Sequence, residues 1–78
     1  MQPYGIHTRR HGVIAYEIGP ESIDIEFSSG WIYHFTYEKP GQARVEQMKA
    51  LAVSGKGLST FIKKYVMNRH ASRRRRDL

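Results

Sequence analysis

The sequence predicts an α+β domain: a three-stranded antiparallel β-meander covered on one face by two C-terminal helices (β-β-β-α-α). Three observations carry this expectation. Ser22 to Phe27 alternates, with Ile23, Ile25 and Phe27 on one side and Ser22, Asp24 and Glu26 on the other. That is the pattern of a half-buried antiparallel strand. The stretch GWIYHFTYEKPG then places Trp31, Tyr33, Phe35 and Tyr37 at every second position. Beyond Pro40 the period lengthens, and Leu58, Phe61, Ile62, Tyr65 and Val66 fall at i, i+3, i+4, i+7 and i+8, the stripe of an amphipathic helix.

The first strand is Val13 to Ile18 (VIAYEI), β-branched or aromatic for most of its length. Gly19-Pro20-Glu21 ends it, since Pro fixes a turn dihedral and Gly tolerates unusual ones. Ser22 to Phe27 is the second strand. Ser28-Ser29-Gly30 is a turn of hairpin length, and Trp31 to Tyr37 is the third. Pro40 stands near a helix start, where its missing N–H costs least. QARVEQMKALAV follows, with Val45, Met48, Leu51 and Ala52 on one stripe, and Gly55 is placed to be its left-handed C-cap. The second helix presents Lys63, Lys64, Asn68 and Arg69 opposite its apolar stripe. Three strands with one apolar face need a cover, and two amphipathic helices supply it.

This reading divides the chain into a flexible N-terminal arm (1–12), one domain (13–70) and a disordered basic tail (71–78), since ASRRRRDL has no apolar anchor. Seventy-eight residues hold a single core. No cysteine is present, so neither a disulfide framework nor a thiolate metal site is expected. His7 and His11 have no acidic neighbour in sequence to complete a metal site. No apolar run approaches the ~20 residues of a membrane span, and the N-terminus lacks a secretory apolar core. A cytoplasmic protein without membrane contact is expected.

The charge of +6 is unevenly distributed. Residues 1–38 carry two arginines against Glu17, Glu21, Asp24, Glu26 and Glu38, a balance of −3. Residues 39–78 carry eleven Lys/Arg against Glu46 and Asp77, a balance of +9. Such a molecule turns its basic end toward a polyanion or an acidic protein surface.

The order of these signals resembles the KTSC domain, a family named after the C-terminus of some lysyl-tRNA synthetases and found also as small free-standing bacterial proteins. The residues that carry the resemblance are Phe27, Gly30, Tyr33 and Pro40, followed by Ala52-Val53-Ser54, Gly57, Ile62 and Tyr65. They span roughly Val13 to Val66. The chain departs from the family pattern in Phe35, which stands for a second Tyr, in the extra Gly55, and in a spacing after Ser54 shifted by about one residue. The resemblance implies an α+β fold and, through the synthetase connection, RNA as a ligand.

The aromatic ladder could serve as a base-stacking platform, but its opposite side (Ile32, His34, Thr36) is the more polar. The aromatics are therefore expected under the helices, as the wall of a small core, with Tyr33 and Tyr37 as candidates to stack or to present hydroxyls at the rim. Candidate nucleic-acid-binding residues are Lys56, Lys63, Lys64, Arg69, Arg73, Arg74, Arg75 and Arg76, with Arg44 and Lys49 extending the patch. Contacts of this kind grip phosphates without reading sequence. Asp24 and Glu26 lie two apart on an outer strand face, where charges are routine, and Ser54-Gly-Lys-Gly follows a helix rather than the strand a phosphate loop needs. No catalytic residue, cofactor or metal is expected. The expected function is a small nucleic-acid-binding module, RNA ahead of DNA. The alternative is a protein–protein adaptor or inhibitor docking on an acidic surface, and either is compatible with a homodimer through a sheet edge.

Overall fold

A computed structural model describes residues 1–5 and 12–76. The class is α+β as expected, but the antiparallel sheet has five strands rather than three. They lie in chain order: β1 (Gln2–Pro3), β2 (Val13–Ile18), β3 (Ser22–Phe27), β4 (Trp31–Thr36) and β5 (Ser72–Arg75). Helix α1 (Gln42–Ser54) follows β4, and α2 (Leu58–Phe61) runs on directly as a π-helical turn, Ile62–Val66.

The central meander forms as its patterning requires. Ile23 pairs with Phe35 and Ile25 with Tyr33 across β3 and β4, which puts all four on one face. Gly30 closes the β3–β4 turn at φ +98°, a conformation that side chains with a Cβ resist, and its N–H bonds to the Phe27 carbonyl at 2.9 Å. Strand β2 carries a bulge: Val13 faces Phe27 while Ala15 faces Glu26, so Ile14 is the extra residue. A single added residue resets the alternation. Val13 and Tyr16 thereby reach the same covered face although three positions apart.

Val45, Met48 and Ala52 of α1 and Leu58, Phe61, Ile62 and Val66 of the second helical segment close over Ile23, Ile25 and Phe35. Gly55 caps α1 in the left-handed conformation, its N–H reaching the Leu51 and Ala52 carbonyls. The π turn alters the expected stripe. A wider turn takes more residues per revolution, which keeps Val66 in line with Ile62 and swings Tyr65 outward, leaving it 42% exposed.

Both ends of the chain depart from the expected arm and tail. Gln2 and Pro3 pair with Tyr16 and Ala15. Tyr4 is buried in the core, and its hydroxyl accepts the Leu58 N–H at 2.9 Å, satisfying one of the donors a helix start leaves open. The remainder of the arm, 6–11, with its two histidines and two arginines, lies outside the described residues, as do 77–78. At the other end, Ser72–Arg75 is an edge strand rather than a disordered segment. The Ala71 N–H bonds to the His34 carbonyl and the Arg76 N–H to the Gly30 carbonyl, each at 2.8 Å. Main-chain pairing with β4 and side-chain pairing with β3 and β4 take the place of the apolar anchor that this segment lacks.

Candidate nucleic-acid interface

The β4–β5 register divides the arginine run between two faces. Trp31 stands opposite Arg75 and Tyr33 opposite Arg73; Ile32 stands opposite Arg74 and His34 opposite Ser72. Side chains alternate along a strand, so Arg73 and Arg75 share the helix-covered face with the aromatics, and Arg74 and Arg76 lie on the open face.

On the open face the arginines meet acids. Arg74 pairs with Asp24 at 3.3 Å, and Arg76 with Glu26. Asp24 also contacts His34 Nδ1 through its other oxygen. Ile32, flanked by Glu26 on β3 and Arg74 on β5, is 7% exposed although no helix covers it. The aliphatic stems of long charged residues cover apolar surface in this way. Asp24 and Glu26 are thus structural counter-ions for the C-terminal strand.

Asp24, His34 and Ser72 line up across three strands, the residue types of a hydrolytic triad. No side-chain hydrogen bond joins Ser72 to His34, and Asp24 is shared with Arg74. A nucleophile needs its base within hydrogen-bond reach, and the row lacks that contact; what it does show is Asp24 joining β3 to β4 through His34 and to β5 through Arg74. Among the described residues no group of three His, Cys, Asp or Glu could hold a metal ion.

On the covered face the arrangement differs. Phe35 is fully buried, and Tyr33 packs beside it with its ring 4.6 Å from His70 and 5.2 Å from Phe27. Trp31, at the Gly30 end of the same row, is only half-buried and is not part of the core cluster. The guanidinium of Arg73 lies 4.3 Å from the indole centre and that of Arg75 5.1 Å. Neither arginine has a carboxylate partner among the described residues. A second cluster surrounds exposed Tyr65, with Arg44 at 4.4 Å and Lys64 at 5.6 Å from its ring. Lys56, Lys63 and Arg69 are exposed, also without a carboxylate partner among the described residues.

Two of the candidates are drawn away from this grouping. Lys49 bonds to Glu46 at 3.0 Å and to the Pro20 carbonyl at 3.1 Å. Tyr37 sits at the far end of the aromatic row, where its hydroxyl donates to Glu46. That bond raises the Tyr37 pKa, with burial and the nearby Glu46 and Glu21 charges adding to the effect. The same bond, reinforced by Lys49, holds the Glu46 carboxyl below its usual range. Glu21 and Glu38 line a shallow cleft of about 420 Å³ beside Tyr37. The aromatic row therefore runs from a cationic end at Trp31 to an end at Tyr37 bordered by Glu21, Glu38 and Glu46.

The grouping of Trp31 with Arg73 and Arg75 was missed by sequence reasoning because it depends on pairing between segments 42 or more positions apart. The signal that was present is the position of Trp31 beside the turn, where a row of wall residues leaves the cover of the helices. No protein-family model matches this chain, and no curated protein or solved structure matches it either.

Proposed function

We propose that this chain is a small non-catalytic nucleic-acid-binding module of the cytoplasm, with RNA as its ligand. One observation carries the reading: Arg73 and Arg75 flank a half-buried tryptophan and have no carboxylate partner among the described residues, while Arg74 and Arg76 pair with Asp24 and Glu26. Lys63, Lys64, Arg69 and Lys56 add exposed cations on the helical side, and half-buried Arg44 lies beside Tyr65. Phosphate contacts from such a surface supply affinity and orientation. The choice of RNA over DNA is supported by the resemblance to the KTSC domain. No described helix is long and apolar enough to cross a membrane.

A second reading, an adaptor or inhibitor that docks on an acidic protein surface, is favoured by the position of β5. An edge strand offers main-chain groups to a partner strand, and the arginines of β5 would select an acidic one. The same row repels a second copy of itself, and the opposite edge, β1, is two residues long and ends in Pro3.

Fluorescence anisotropy with short single- and double-stranded RNA and DNA across a salt series tests the proposal. Binding is expected at low salt, with log K falling linearly with log salt, and Lys63→Glu with Lys64→Glu is expected to weaken it. No binding to any of the four at low salt would overturn the nucleic-acid reading in favour of the acidic protein partner.

A further inference from the structure

We infer that Trp31, with Arg73 and Arg75, forms a stacking site for an unpaired nucleobase, making the module selective for single strands. The inference rests on the nucleic-acid reading above and goes beyond it, since a surface of cations alone would grip duplex and single strand alike.

The open face of the sheet, where base-stacking aromatics are usually displayed, is unsuitable here. It carries Glu17 opposite Asp24, then Glu26, all repulsive to phosphate, and its arginines are bound to two of those acids. The helix-covered face is closed over Phe35 by the core. Its two ends remain partly open: the Tyr37 end borders Glu21, Glu38 and Glu46, and at the Gly30 end the row terminates in an indole with two guanidinium groups over it. A base can stack on an aromatic ring or on an arginine plane. An indole with guanidinium groups 4.3 and 5.1 Å from its centre offers both, and would place positive charge beside the phosphates on either side of the base. The turn at Gly30 borders this end of the row: a Cβ built there would be in ordinary van der Waals contact with Arg75 Nη2, at 3.8 Å.

Bases within a duplex are already stacked and paired, so their faces are not available to Trp31 unless they are extruded at a cost. The site therefore discriminates by strandedness. Stacking itself does not discriminate by sequence, because every base has a π-face.

Trp31 is the chain's one tryptophan, so its own emission reports on the site. A short single-stranded RNA titrated into the intact protein is expected to quench Trp31 fluorescence over the same concentration range in which anisotropy reports binding. The duplex of the same sequence is expected to bind more weakly and to quench less. Trp31→Ala is expected to lose about five- to 150-fold in single-strand affinity, the range for one stacked base, and Trp31→Phe to keep part of it. Circular dichroism of both variants confirms that they fold, and the wild-type quenching decides the matter without them. Single-strand binding that leaves Trp31 emission unchanged, or that is no tighter than duplex binding, overturns the inference while the nucleic-acid reading stands. Absence of binding to either strand form overturns both.

Discussion

Arg75 stands directly across from Trp31 in the β4–β5 ladder, with its guanidinium 5.1 Å from the indole centre. That one pairing assigns alternate arginines of a continuous run to opposite faces of the sheet. Arg74 and Arg76 pair with Asp24 and Glu26 across the open face; Arg73 and Arg75 lie over Trp31 without a carboxylate partner among the described residues. The two pairs should respond differently to mutation. Replacing Arg74 and Arg76 by Gln leaves two partly buried carboxylates without their cations. The expected loss is about 1–3 kcal/mol, toward the low end because both guanidinium groups are half exposed. Urea denaturation measures it, and Arg73→Gln with Arg75→Gln should shift the midpoint less.

Removal of the C-terminal strand should destabilise the fold as well as reduce binding. A chain ending at Ala71 uncovers Ile32 and leaves β4 as an edge. Exposing one aliphatic side chain costs about 1.5–3 kcal/mol, a large share of the stability of so small a domain. A thermal scan by circular dichroism should show a clear fall in midpoint. An unchanged midpoint would mean that β5 is not held by the contacts described.

The aromatic row should grade in its structural weight from the core outward. Phe35 is fully buried, and truncation to Ala should cost about 3–5 kcal/mol, the usual range for a buried aromatic. Tyr33→Ala should cost less, because its ring is only half-buried. Trp31→Ala, outside the core cluster, should cost least. Equilibrium unfolding of the three variants gives the order directly.

The Tyr37–Glu46 bond makes a pH-dependent contribution. Glu46 titrates below its ordinary value of 4.5 in the folded chain. Its contribution is therefore present above that ordinary value and lost as pH falls through the lowered one. Tyr37 titrates above its ordinary 10.0, so its share is present below that value and lost as pH rises through the raised one. A stability comparison of wild type with Tyr37→Phe should show a gap at neutral pH that closes under acid conditions and again under strongly alkaline ones.

Much of this architecture was legible in the sequence, and what was not has physical causes. Ser22–Phe27 and Trp31–Thr36 could be read because period-two alternation is a local property. Gly55 could be read as a left-handed cap because it follows a helical stripe directly. The faces of Val13 and Tyr16 could not, because the bulge at Ile14 resets the alternation without a Gly or Pro to mark it. The outward position of Tyr65 is not legible either, because an α-helical period puts it on the buried stripe where the chain makes a π turn. Strand β5 was invisible because its stabilising partners, Asp24, Glu26 and Trp31, lie far upstream, and nothing local to four arginines signals a strand. The basic character of the site was legible; its division into structural and available cations required the register.

The most direct test of the account is the salt dependence of single-stranded RNA affinity in the two paired-arginine variants. For single strands the slope of log K against log salt is about −0.7 per phosphate contacted. Arg73→Gln with Arg75→Gln should make that slope shallower by about 1.4 and lower the affinity, while Arg74→Gln with Arg76→Gln, under conditions where it remains folded, should leave the slope close to that of the wild type. Equal slopes in wild type and the Arg73/Arg75 variant would contradict the account, as would a larger change on removing Arg74 and Arg76.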